Sequence, residues 1–193
     1  MSTTNLYVEL IVIGLGAFTW VALLVAAALG VPRPVIEGLS HEGALALPAL
    51  AAVYLLGIVT DRLADQLFHG TLGTRLRNSY RRDPNARAAP PDGQDKYHED
   101  RALVLSAGGK FAELYDYSRS RQRICRGWAL NAVAIIAALQ FAYYRDLHWL
   151  SRDVVVGASW WLIALAGGCL YAWWSMMRTE LARIAEQART LRR

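Results

Sequence analysis

The sequence predicts an all-α, polytopic membrane protein with four transmembrane helices and cytoplasmic helical extensions. Three observations predict it: where the apolar runs fall, where the aromatic residues fall, and where the positive charge falls. Of the 193 residues, 54 % are hydrophobic and 19 % charged, an average that hides strong segregation. Residues 10–32, 43–60, 127–144 and 154–177 contain no Asp, Glu, Lys or Arg. A hydrocarbon core about 30 Å thick is crossed by roughly 20 apolar residues in a helix. Each run meets or approaches that length, and soluble cores rarely hold four of them in so short a chain.

The first span is expected from Leu6 to Leu29. A cleaved signal peptide is the rival reading, with Ala26-Ala27-Ala28 as its processing site. No Lys or Arg precedes the run, and its length exceeds the roughly 7–15 apolar residues of a signal peptide, so the segment reads as a span. The second span runs from Gly43 to Val59 with Pro48 in its first turns, the third from Gly127 to Tyr144, and the fourth from Val154 to Trp174. Trp160 and Trp161 lie near one end of the fourth span, Trp173 and Trp174 near the other, while Trp128 and Tyr143–Tyr144 bracket the third. Amphipathic rings prefer the headgroup level, so this placement marks both interfaces.

Orientation follows from the basic residues. The chain has 21 Lys and Arg, of which 12 lie in residues 69–126 and five in 175–193. The positive-inside bias places the middle loop and the tail in the cytoplasm, and an even number of spans puts the N-terminus there too. The expected organisation is therefore spans 1 and 2 in residues 1–68, a basic cytoplasmic loop with linker and helix in 69–126, spans 3 and 4 in 127–174, and an amphipathic tail helix in 175–193. The net charge of +5 is accounted for by attraction to anionic lipid headgroups, and no nucleic-acid partner is expected. Cys125 and Cys169 fall toward the cytoplasmic side, where thiols stay reduced.

Within the loop, residues 83–95 are rich in turn formers and read as a linker. From Lys96 to Ile124 the pattern becomes helical, with Phe111, Leu114, Tyr115 and Ser118 on one face and Gly108-Gly109 as an interruption. Gly108-Gly109-Lys110 lacks the spaced first glycine and the following Ser/Thr of a phosphate loop. In the tail, Met177, Leu181, Ile184, Ala188 and Leu191 recur at spacings of four and three, the seam of a coiled coil. Oligomer contact, packing against the middle-loop helix and lying on the membrane all fit this seam. Arg178, Glu180, Arg183, Glu186 and Arg189 take the other faces.

One polar cluster stands out. Asp61, Asp65 and His69 lie four residues apart at the end of the second helix, so they share a face, and Arg62 is placed to offset their repulsion. Glu9 sits one turn into the first span, while Arg119, Arg121, Arg123 and Arg126 approach the third and Asn131 lies one turn inside it. Glu9, Asp61, Arg62, Asp65, Arg123, Arg126 and Asn131 form the expected charge network. It serves either as an ion-pair register between helices or as a cation or proton pathway, since ionisable groups in spans face the bundle interior and often mark function. Asp61, Asp65 and His69 are also a candidate metal site, although three candidates on one helix are weak ligand evidence. No cofactor is expected, and no serine, histidine and carboxylate grouping supports hydrolysis. Gly14, Gly16, Gly57, Ala164, Gly167 and Gly168 are expected at close helix contacts, and Gln140 is placed to bond across helices.

The stretches Asn5-Leu6-Tyr7-Val8-Glu9-Leu10-Ile11-Val12-Ile13-Gly14 and Tyr54-Leu55-Leu56-Gly57-Ile58-Val59-Thr60-Asp61-Arg62-Leu63-Ala64-Asp65 resemble the first two helices of a group of uncharacterised bacterial four-helix inner-membrane proteins. The resemblance implies a bacterial plasma membrane and no assigned chemistry. By analogy of architecture alone, small four-helix membrane proteins also occur in anti-phage systems. The functional expectation is a non-enzymatic, self-associating membrane protein that forms or regulates an ion-conducting pore. The rivals are an anchor or sensor subunit that binds a soluble cytoplasmic partner, and a metal-dependent membrane enzyme.

Overall fold

A computed structural model of the chain describes residues 3–31, 46–68, 93–106, 110–145 and 150–192, with the backbone alone for 3–5, 93–98 and 110–116. The described residues form five helices and no strand: α1 (Thr3–Leu29), α2 (Ala46–Leu67), α3 (Gly93–Ser106), α4 (Lys110–Tyr144) and α5 (Arg152–Leu191). Four of these, α1, α2, α4 and α5, are long and apolar enough to cross a membrane.

Local chemistry explains their ends. At the close of α1, Gly30 takes φ +62°, a left-handed conformation that glycine adopts without steric cost. It lets Val31 N–H reach back to the Ala26 carbonyl at 3.0 Å, the hydrogen bond of a helix stop. Pro48 lies in the first turn of α2, where its missing N–H has no helical partner to lose. At the start of α5 the Ser151 hydroxyl caps the Val154 N–H at 3.4 Å, and Asp153 complements the positive end of the helix dipole. The loop helix after Gly108-Gly109 and the third span form one continuous helix, α4. Gly108-Gly109 lies outside the described residues, as do the side chains of Phe111, Leu114 and Tyr115.

The contacts fix the helix directions. Ile13 meets Gly127 and Asn131 while Glu9 meets Ser120, so α1 and α4 run the same way. Gly14 meets Val53 and Gly57 meets Leu10, so α2 opposes α1. Gln140 bonds Ser159 at 3.3 Å and Gln122 bonds Glu180, so α5 opposes α4, and Gln140 makes the expected cross-helix bond. Up-down alternation gathers Glu9, Asp61, Asp65, Arg126 and Glu180 at one end of the bundle, together with α3. This is the basic end.

Packing is uneven. α1 lies between α2 and α4, α2 also touches α4, and α5 leans chiefly on α4 with α3 beside its tail. Ala27, Ile135, Leu139, Ala142, Leu150 and Val155 form the core away from the basic end. Ala64, Phe68, Ala129, Trp173 and Met177 form a second core nearer to it. Trp173 departs from the interfacial role expected of it, being buried with its ring edge-on to Phe68 at 5.1 Å. Trp160, Trp161 and Tyr144 are exposed, as interfacial rings would be.

Candidate functional site

The basic end is built around α1. At Gly14 a Cβ would run into the Val53 carbonyl, and at Gly57 one would run into the Leu10 carbonyl. Only hydrogen at these two positions lets the backbones of α1 and α2 touch. Gly16 makes room differently, since a Cβ there would meet the Asn131 amide. Asn131 is fully buried. Its Nδ2 donates to the Ile13 carbonyl at 2.8 Å and its Oδ1 accepts from Trp20 Nε1 at 3.3 Å. A buried amide with both ends satisfied fixes the register of α4 on α1, because leaving either end unmade in an apolar setting is costly.

Three carboxylates, Glu9, Asp61 and Asp65, lie closer to the basic end. Glu9 is only 4 % exposed, and its Oε1 accepts from the Ser120 hydroxyl. Asp65 receives the Arg126 guanidinium at 2.6 Å, with Arg126 buried and Asp65 partly open to solvent. Glu9 Oε2 and Asp61 Oδ1 are buried and accept no hydrogen bond from the described residues. Buried carboxylate oxygens are ordinarily satisfied, and these two offer unused acceptor capacity for a proton or a cation.

The expected charge network is thus assembled in part. Glu9, Asp65, Arg126 and Asn131 are held within the α1–α2–α4 packing, and Asp61 is half-buried at its edge. Arg62 is exposed and Arg123 half-buried, and neither bonds Glu9, Asp61 or Asp65. Arg121 is also diverted. It bonds the Tyr117 hydroxyl and lies over that ring at 4.2 Å. His69 lies outside the described residues, and among those described no three His, Cys, Asp or Glu side chains are grouped to hold a metal ion.

No family model, curated protein or solved structure matches this chain.

The tail seam has a partner within the chain. Met177, Leu181, Ile184 and Ala188 are buried within the monomer, and Leu191 stays exposed. Of the three expectations for this seam, packing against the chain's own helices is the one realised in the monomer, and Arg192 adds an ion pair to Asp100 of α3 at 2.5 Å. Glu180, on a face other than the apolar seam, is half-buried. It accepts from Gln122 at 2.5 Å and from Ser118 at 3.5 Å. It lies beyond the apolar run that ends at Trp174, and burial pushes its carboxyl up from the ordinary value against the lowering pull of Gln122, Arg101, Ser118 and Arg119. Ser120, Gln122, Gly127 and Glu180 are the members that sequence reasoning missed. Their one signal was position, since Ser118 and Gln122 sit one turn apart on the same helix face.

Proposed function

We propose that this chain is a non-enzymatic, multi-pass protein of a bacterial inner membrane, with both termini cytoplasmic, that self-associates through α5 and forms or regulates an ion-conducting pore. The observation that carries the reading is the uncovered face of α5. Its apolar stretch is the least covered of the four spans, with α2 next and α1 and α4 well packed. Gly157, Trp161, Ala164, Gly168 and Tyr171 follow one another at spacings of four and three, and all are exposed. A Cβ at Gly157 or Gly168 would meet nothing within 4 Å. Glycine inside a helix costs about 1 kcal/mol relative to alanine, and in membranes such residues serve close helix approach. No described residue packs against them, and a second copy would.

The pore component is supported by the unused oxygens of Glu9 and Asp61 at the basic end. That end is cytoplasmic in this reading because it carries the excess of Lys and Arg. Purified protein in detergent should have the mass of a defined symmetric oligomer, and liposomes containing it should pass cations. Asp61→Asn, which leaves the Asp65–Arg126 pair intact, should lower that flux at least fivefold. A monomeric mass, or flux unchanged in Asp61→Asn, contradicts the corresponding half of the reading.

The anchor reading draws support from a different feature. The 17 residues of α4 before Gly127 continue the span as a rod of about 25 Å, braced by α3 and the tail of α5, which is a platform suited to a soluble partner. Altering residues 97–124 should then abolish partner capture and leave permeability unchanged.

A further inference from the structure

A cleft of about 370 Å³ lies between α3, α4 and α5, within the size range of small-molecule sites. Each of the three helices contributes an arginine to its wall: Arg101 from α3, Arg121 from α4 and Arg183 from α5. Among the described lining residues, Glu180 alone carries a carboxylate, which is engaged by Gln122 and Ser118, against the three arginines. Val104 and Met176 give the cleft an apolar side.

Its depth matters as much as its charge. The apolar run of α5 ends at Trp174, and Ser175 and Met176 already line the cleft, so it opens where headgroups would lie. The Arg178 guanidinium stacks over the Trp174 ring at 4.0 Å, which suits a boundary between hydrocarbon and water. Above the cleft, the span of α5 leaves an apolar surface uncovered. Guanidinium groups match phosphate oxygens in a planar, bidentate fashion, and basic pockets beside spans on the cytoplasmic side bind anionic headgroups.

We propose that this cleft is a binding site for one anionic phospholipid, its phosphate held by Arg101, Arg121 and Arg183 and its acyl chains lying along α5. The proposal rests on the membrane reading above. Full-length protein is reconstituted in nanodiscs of equal phosphatidylcholine and phosphatidylglycerol, released, and examined by native mass spectrometry for retained lipid. One phosphatidylglycerol per chain should be retained over phosphatidylcholine at least tenfold. The preference should disappear in Arg101→Gln/Arg183→Gln and persist in Arg62→Gln, which lies on α2 away from the cleft. Because the double variant removes two charges, Thr179→Trp supplies an independent arm. It fills the cleft from an exposed lining position and keeps every arginine, and it should also abolish retention. Equal retention of both lipids, or a preference that survives both cleft variants, overturns the site while leaving membrane insertion intact. Failure to enter nanodiscs overturns the membrane reading and the site together. Inorganic phosphate that binds the detergent-solubilised protein with the same arginine dependence and displaces no lipid identifies a free phosphate as the ligand and overturns the lipid assignment.

Discussion

The contact of α1 with α2 and the outer face of α5 contain the same small residue in opposite situations. At Gly14 and Gly57 the neighbouring carbonyls stand where a Cβ would be, whereas at Gly157, Gly167 and Gly168 there is open space. A glycine in a spanning helix is thus no guide by itself to what it packs against. Its use is decided by whether another backbone arrives, and within one chain that happens for α1 and α2 and not for α5. The difference separates a region that specifies the monomer from one left available for another molecule.

The largest effect should come from breaking the first region. Gly14→Ala forces the α1 and α2 backbones apart, and overpacking of this kind costs about 3 kcal/mol, read as a lower Tm in detergent and weakened protection of α2 amides from exchange. Next is Asn131→Leu, which removes the bonds to Ile13 and Trp20 and forces a branched side chain against Gly16. A loss of about 2 kcal/mol is expected, with Trp20 fluorescence reporting the freed indole. A Tm equal to wild type would show that the amide does not set the α1–α4 register.

The smallest effect concerns Glu180. Its carboxyl is raised by burial, so the folded chain holds this proton more tightly than the unfolded one. The associated stability is fully present below the ordinary carboxyl value and is lost as pH rises through the raised one. Glu180→Gln keeps an acceptor for Gln122 and carries no charge. Its Tm should therefore stay flat across the mildly acidic range in which wild-type Tm falls. Parallel curves for the two proteins would count against a raised Glu180.

The four long helices were legible because their cause is one-dimensional: a charge-free run of sufficient length is visible without knowing any contact. Helical spacing over Lys96–Ile124 was legible for the same reason, although its fusion with the third span into α4 is seen only in the fold. The site was legible only in part. Depth along a helix can be read from sequence, and it brought Glu9, Asp65 and Arg126 to one end, with Asn131 deeper in the bundle. Azimuth cannot, because it depends on which helices become neighbours. That is why Arg121 turned to Tyr117, Trp173 turned inward to Phe68, and Glu180 met Gln122. The seam of Met177, Leu181, Ile184 and Ala188 shows the same ambiguity. An apolar stripe announces that it will be covered, and only the fold shows that α3 and α4 reach it.

On the proposed function, the outer face of α5 serves association and leaves the monomer fold untouched. The most direct test of this is the mass of Gly157→Leu/Gly168→Leu in detergent, measured beside its stability. The double variant should run as a monomer where the wild-type chain is an oligomer, and its unfolding free energy should stay within about 0.5 kcal/mol of that of wild type diluted to monomer, as for substitutions that meet no neighbour. An oligomer that survives both leucines would contradict it and place the association surface elsewhere.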